Sequence, residues 1–221
     1  VDLFAGKKVP FTVAHTLRYN SVIQGLKETL PSLGSIYSFS ACQRLEPSTL
    51  SWLEKPELAG GGVIFHTAVH MFFSLRYITC RDIRRIRATS QMVINPQLED
   101  LMVSEVTLDG DCPGIVDASK VSPARVGAYE FICEKGILQG DQVHGTMRRI
   151  DGMNITDLDT PGQNATIVAL RTDWHGFITG RQDNPIPAEE GLAAVKICHA
   201  CRLAASTGLW MNIDDLDRLG L

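Results

Sequence analysis

The sequence lacks a large excess of either charge: 21 Lys and Arg stand against 25 Asp and Glu, and the signs are interspersed along 221 residues. No field for a polyanion is built in, so nucleic acid is not an expected partner. The one basic cluster, RDIRRIR at 81–87, would place Arg81, Arg85 and Arg87 on one face of a strand, as a solvated or subunit-contacting surface. No apolar run approaches the length of a membrane span and no leader precedes the first expected strand, which leaves no membrane partner to expect. The chain begins at Val1 rather than Met, so it reads as a piece of a longer protein whose preceding segment would carry any targeting signal. A dense cysteine framework is missing too. The six cysteines (Cys42, Cys80, Cys112, Cys133, Cys198 and Cys201) are scattered through apolar segments, as reduced thiols of a cytoplasmic protein would be. Cys198 and Cys201 form CHAC in the middle of a helical run, with no second pair to complete a zinc site, which suits helix packing. Finally, no glycine fingerprint joins a strand to a helix. GGG at 60–62 follows SWLEKPELA, which is no buried strand, so no cofactor-binding residue is expected within this chain, and the cysteines supply no metal site.

What is present is a mixture of helical and strand periodicities. VPFTVAH (9–15) suits a strand. NSVIQGLKETL (20–30) sets Val22, Ile23, Leu26 and Leu30 on a helical stripe, with Asn20 or Ser21 available as the cap. GSIYSFSACQRL (34–45) alternates Tyr37, Phe39 and Ala41 against Ile36, Ser38 and Ser40, as a strand does. VIFHTAVHMFFSLRYI (63–78) is long enough for four helical turns and apolar enough to be buried on most sides. From 81 onward, IRRIRATSQMVI, LMVSEVTL, GIVDASKV, AYEFIC, ILQGD and VHGTMRRI read as six short strands whose tight connections force antiparallel pairing. Helices then return. Thr160 and Pro161 open one along Ile167, Leu170, Trp174 and Phe177, and Pro187 with Glu189 and Glu190 opens another that Gly208 closes. This order predicts an α+β domain spanning 1–221, with one broad, mainly antiparallel sheet and helices on one face. The uncovered face is the expected contact of a homodimer or tetramer.

Five motifs in order resemble the C-terminal domain of the Gfo/Idh/MocA oxidoreductases, the sugar and inositol dehydrogenases. They are FTVAHTLRYNSVIQGLKETLPSLGSI, ELAGGGVIFHTAVHMFFSLRYI, LDGDCPGIVDASKV, YEFICEKGILQGD and NPIPAEEGLAAVKICHACRLAASTG, and together they cover nearly the whole chain. The resemblance implies a separate Rossmann domain binding NAD or NADP, with this chain as the half that binds a carbohydrate substrate and oligomerises. On its own, this half would be inactive. LEKPEL at 53–58 contains the family's Glu-Lys-Pro letters outside their usual domain, and Lys55 is given no role.

The family's glycine-rich helix ends in Asp-x-x-x-His, two groups that share a helix face. Here His70 stands at the His position, where the resemblance implies the acid–base group, and His66 replaces the Asp. An imidazole cannot supply the lost negative charge. Three readings of the pair stay open: a retained polyol or sugar site with His66 as substrate contact, two ligands of a metal completed by His15 or His175, or core histidines in a non-catalytic sensor that keeps the fold. By the same resemblance Arg18 and Tyr19 border the cleft, Lys120 and Tyr129 occupy strand positions that face substrate, and His175 lies at the cleft mouth.

Overall fold

The computed structural model describes residues 2–7, 9–160 and 165–218. Its helices are α1 (Asp2–Gly6), α2 (Ser21–Thr29), α3 (Pro56–Ala59), α4 (Val69–Thr79), α5 (Thr166–Ile178), α6 (Ala188–Thr207) and α7 (Asp215–Arg218). The strands are β1 (Ile36–Arg44), β2 (Ile83–Gln91), β3 (Leu101–Leu108), β4 (Cys112–Ser119), β5 (Val126–Cys133), β6 (Gly136–Asp141), β7 (Thr146–Asp151), β8 (Asn154–Asp157) and β9 (Met211–Asn212). They form one sheet in the order β8-β7-β6-β5-β1-β4-β3-β2-β9. The class is α+β.

The hairpins β2–β3, β3–β4, β5–β6 and β6–β7 pair antiparallel, as their short connections require. The run from β4 to β5 does not make a hairpin. β1 lies between them, parallel to β4 and antiparallel to β5, and so carries the chain's first strand into the middle of the sheet. Along β1 the side chains of Phe39, Ala41 and Gln43 are buried while Ser40 and Arg44 are exposed. Gly114, opposite Phe39 on β4, leaves room for that ring; a Cβ there would overlap it. Helices α2, α4 and α6 contact β6, β1 and β2 respectively and share one apolar core with the sheet. The other face stays open, with Val103 45%, Ile115 49% and Ile132 42% exposed.

Several expectations are corrected. Residues 9–15 form no strand; Val13 N donates to Ile186 O at 3.0 Å, and Val9 and Phe11 are exposed. Pro10 removes a donor that a paired strand would need. In β2 a register shift between Ile83 and Arg85 turns Arg84, Arg85 and Arg87 all outward, while Arg81 precedes the strand. Thr160 does not cap α5: its hydroxyl donates to Gly145 O at 3.0 Å, the helix starts after Ala165, and Pro161 lies outside the described residues. The helical run Pro56–Thr79 is, against expectation, long and apolar enough by composition to cross a membrane, but 61% of its apolar window is buried within the fold, as in a core helix. Asn20 does cap α2, its Oδ1 accepting from Val22 N at 2.9 Å and Ile23 N at 3.3 Å. Cys198 and Cys201 are free thiols buried on α6.

Candidate active site

The three glycines form a turn welded to the loop before β3. Gly60, at φ 72°, ends α3 in the left-handed region. Gly62 N donates to Glu99 Oε1 at 2.9 Å and Val63 N to Glu99 O at 2.8 Å. A Cβ on Gly62 would overlap the Glu99 carbonyl oxygen, so the close approach itself demands glycine. Across the loop, the Asp100 carboxylate accepts from Val93 N, Ile94 N and Asn95 N at 2.8, 2.7 and 2.8 Å, and Asp100 O accepts from Lys120 N at 2.8 Å. These ties frame a cavity of about 460 Å³ whose walls include Glu54, Lys55, Gly62, His66, Glu99, Asp100 and Lys120.

The helix leaving the glycines is not α-helical throughout. Ile64–Ala68 is a π turn, and α4 begins only at Val69. The i, i+4 rule therefore does not bring His66 against His70. His66 Nε2 donates to Ala59 O at 2.9 Å, and its ring stands edge-on to Trp52 at 6.1 Å. His70 stands edge-on to His15 at 6.0 Å, and His15 stacks on Phe73 at 4.0 Å. The two rings have different partners, and the described residues hold no group of three or more His, Cys, Asp or Glu side chains that could complete a metal site around them.

His15 Nε2 and His70 Nδ1 are both buried without a hydrogen-bond partner. Burial, followed by the Lys120 charge, lowers the His70 pKa, while burial, His70 and Arg76 bring His15 down to about 4. Both imidazoles are thus neutral at neutral pH, and a neutral His70 can accept a proton. Lys120 is half-buried, and burial depresses its ammonium as well.

The other expected site residues lie elsewhere. Arg18 lines a separate cavity with Lys27, Arg76 and Tyr77, its guanidinium 4.9 Å from the Tyr77 ring centre. Tyr19 is buried and donates to Asp173 Oδ2 at 2.9 Å; burial and that carboxylate raise its pKa. Tyr129 is 1% exposed, with its hydroxyl on Met71 Sδ at 3.4 Å, and so belongs to the core beneath α4. His175 is exposed on α5 and accepts from the Arg181 guanidinium at 2.7 Å. Of the expected set, His66 and Lys120 line the cavity, whereas His70 is not among its lining residues and is linked to it through the Lys120 charge that lowers its pKa. The structure adds Glu54 and Lys55, the Glu-Lys-Pro letters given no role in the sequence, and Glu99, which no spacing singles out, and it sets His15 beside His70.

Residues 32–139 match the GFO/IDH/MocA C-terminal domain model. No curated protein matches the chain. Among solved structures, an oxidoreductase domain protein from Kribbella flavida superposes with a TM-score of 0.83 at 15% identity, covering 96% of this chain and 68% of that one. UDP-N-acetylglucosamine 3-dehydrogenase from Acidithiobacillus ferrooxidans gives 0.77 at 14% identity, covering 92% and 64%. Levoglucosan dehydrogenase, solved with NADH and L-sorbose, gives 0.78 at 16% identity, covering 91% and 65%. The chain thus spans about two thirds of the length of the structures it matches. At these identities the likeness is one of fold. Matching motif order, domain model and fold together identify residues 32–139 as a GFO/IDH/MocA C-terminal domain.

Proposed function

We propose that this chain is the substrate-binding half of an NAD(P)-dependent oxidoreductase acting on a sugar, polyol or related carbohydrate. The observation that carries the reading is His70: a neutral imidazole with a buried, unpartnered Nδ1, electrostatically coupled to a lysine in the wall of a sizeable cavity. In such a site His70 takes the hydroxyl proton while hydride leaves the same carbon for nicotinamide. Lys120 and His66 contact the substrate. NAD or NADP is held by a domain outside these residues, a reading supported by levoglucosan dehydrogenase, a chain of the same fold solved with NADH. The complete protein associates as a homodimer or tetramer through the open sheet face, a role supported by the exposed Val103, Ile115 and Ile132.

A second reading has its own support. The group replacing the family's carboxylate, His66, is tied to Ala59 O, so the same cavity could bind a carbohydrate without turning it over, as in a sensor. Assaying the complete protein with NAD+ and NADP+ against a panel of polyols and sugars separates the two. Formation of NAD(P)H supports the enzyme, and carbohydrate binding without it supports the sensor.

A further inference from the structure

Lys120 is unusual among the charged groups of the cavity. Two of the three carboxylates in the wall are engaged by backbone amides: Glu99 by Gly62 N, and Asp100 by Val93 N, Ile94 N and Asn95 N. The third, Glu54, is exposed and adjacent in sequence to Lys55, which lines the same wall. Lys120, by contrast, has no hydrogen bond or ion pair to its ammonium among the described residues, although it is half-buried. The titratable group that feels its charge is His70, and a neutral imidazole supplies nothing to compensate it. An ammonium that is only partly hydrated and has no counter-ion loses its remaining water when a ligand fills the cavity, and an arriving anion offsets that loss.

We infer that the cavity selects an anionic carbohydrate, a sugar or polyol bearing a carboxylate or a phosphate, with the anionic group on Lys120 Nζ. The inference rests on the reading of this cavity as a substrate site and adds to it the class of substrate. A neutral sugar seated over Lys120 displaces water from the ammonium without supplying a countercharge. An anion removes the mismatch and forms a charge-assisted hydrogen bond. Lys55 lines the same wall. Lysine suits either anion because it acts as a point charge with rotatable donors.

Calorimetric titration of the complete protein with glucose, galactose and myo-inositol, with glucuronate and galacturonate, and with the monophosphates of all three, tests this at constant ionic strength. At least one anionic member should bind about 10- to 100-fold tighter than its neutral counterpart, the range of a charge-assisted hydrogen bond. Uronate against monophosphate tells the two anions apart. Lys120→Gln should reduce the preference to less than about threefold without lowering the thermal midpoint, since the lysine satisfies no partner in the fold. Equal binding of neutral and anionic members, a preference that survives Lys120→Gln, or no binding by any anionic member would overturn the inference. If anionic members bind as expected but the complete protein never reduces NAD(P)+ with them, the oxidoreductase reading fails and the anion preference stands.

Discussion

Gly62→Ala isolates the weld between the glycine turn and the loop before β3. Gly62 does not have a positive φ, so alanine meets no intrinsic backbone penalty there. Its cost comes from collision: the new Cβ would overlap Glu99 O and lie 2.7 Å from Glu99 Cδ. The obstructing oxygen is backbone and cannot rotate away, so the turn must withdraw. Withdrawal stretches Val63 N to Glu99 O, now 2.8 Å, and Gly62 N to the Glu99 carboxylate, now 2.9 Å. A neutral hydrogen bond is worth about 0.5–1.5 kcal/mol and one to a charged group about 1.5–3 kcal/mol, so the loss comes to roughly 2–4 kcal/mol. In a domain of this size each kcal/mol lowers the thermal midpoint by about 2–4 °C, giving roughly 4–16 °C. Gly60→Ala is the control. At φ 72° with no atom within 4 Å of a new Cβ, it meets only the left-handed penalty of about 1–2 kcal/mol. Urea and thermal unfolding followed by circular dichroism measure both. A Gly62→Ala loss below about 1 kcal/mol would refute the claim that the close approach fixes glycine.

Two further outcomes are expected. His15 has its folded pKa depressed to about 4 from an ordinary 6.5, so its stabilising effect is complete above pH 6.5 and is lost as pH falls toward 4. The slope is at most about 1.4 kcal/mol per pH unit, and unfolding of His15→Phe should be flatter over that window; identical profiles would contradict the burial account. On the open face, Ile115→Arg places a charge among Val103 and Ile132, and should convert the proposed dimer or tetramer of the complete protein to monomer in sedimentation velocity. An unchanged assembly would assign the contact to another surface.

The sheet was largely legible because its strands announce themselves locally. The alternation from Phe39 to Gln43 and the turn signals between β2 and β7 are written in period two, and Asn20 is a cap that needs no tertiary context. Long-range placement was not. Nothing in GSIYSFSACQRL says that β1 inserts between β4 and β5, because register there is set by the facing strands. The edge strands β8 and β9 carry no apolar alternation, and all four residues of β8 are exposed. At the site, the order of the motifs pointed to His66 and His70, but i, i+4 reasoning assumed an α-helix. The π turn over Ile64–Ala68 rotates the two rings toward different neighbours. Arg18, Tyr19, Tyr129 and His175 were grouped with them by resemblance alone, and packing distributes them to another cavity, the core and the surface. His15 lies 55 positions from His70 in sequence, so only the folded chain sets their rings 6.0 Å apart.

The central claim, that His70 is the acid–base group of a carbohydrate oxidoreductase, is tested most directly by steady-state turnover of the complete protein with His70→Ala. The account predicts a fall in kcat of about 10²- to 10⁴-fold with nicotinamide binding nearly unchanged, since it assigns the cofactor to another domain. A variant that keeps full turnover while only its thermal midpoint moves would make His70 a packing residue and contradict the account.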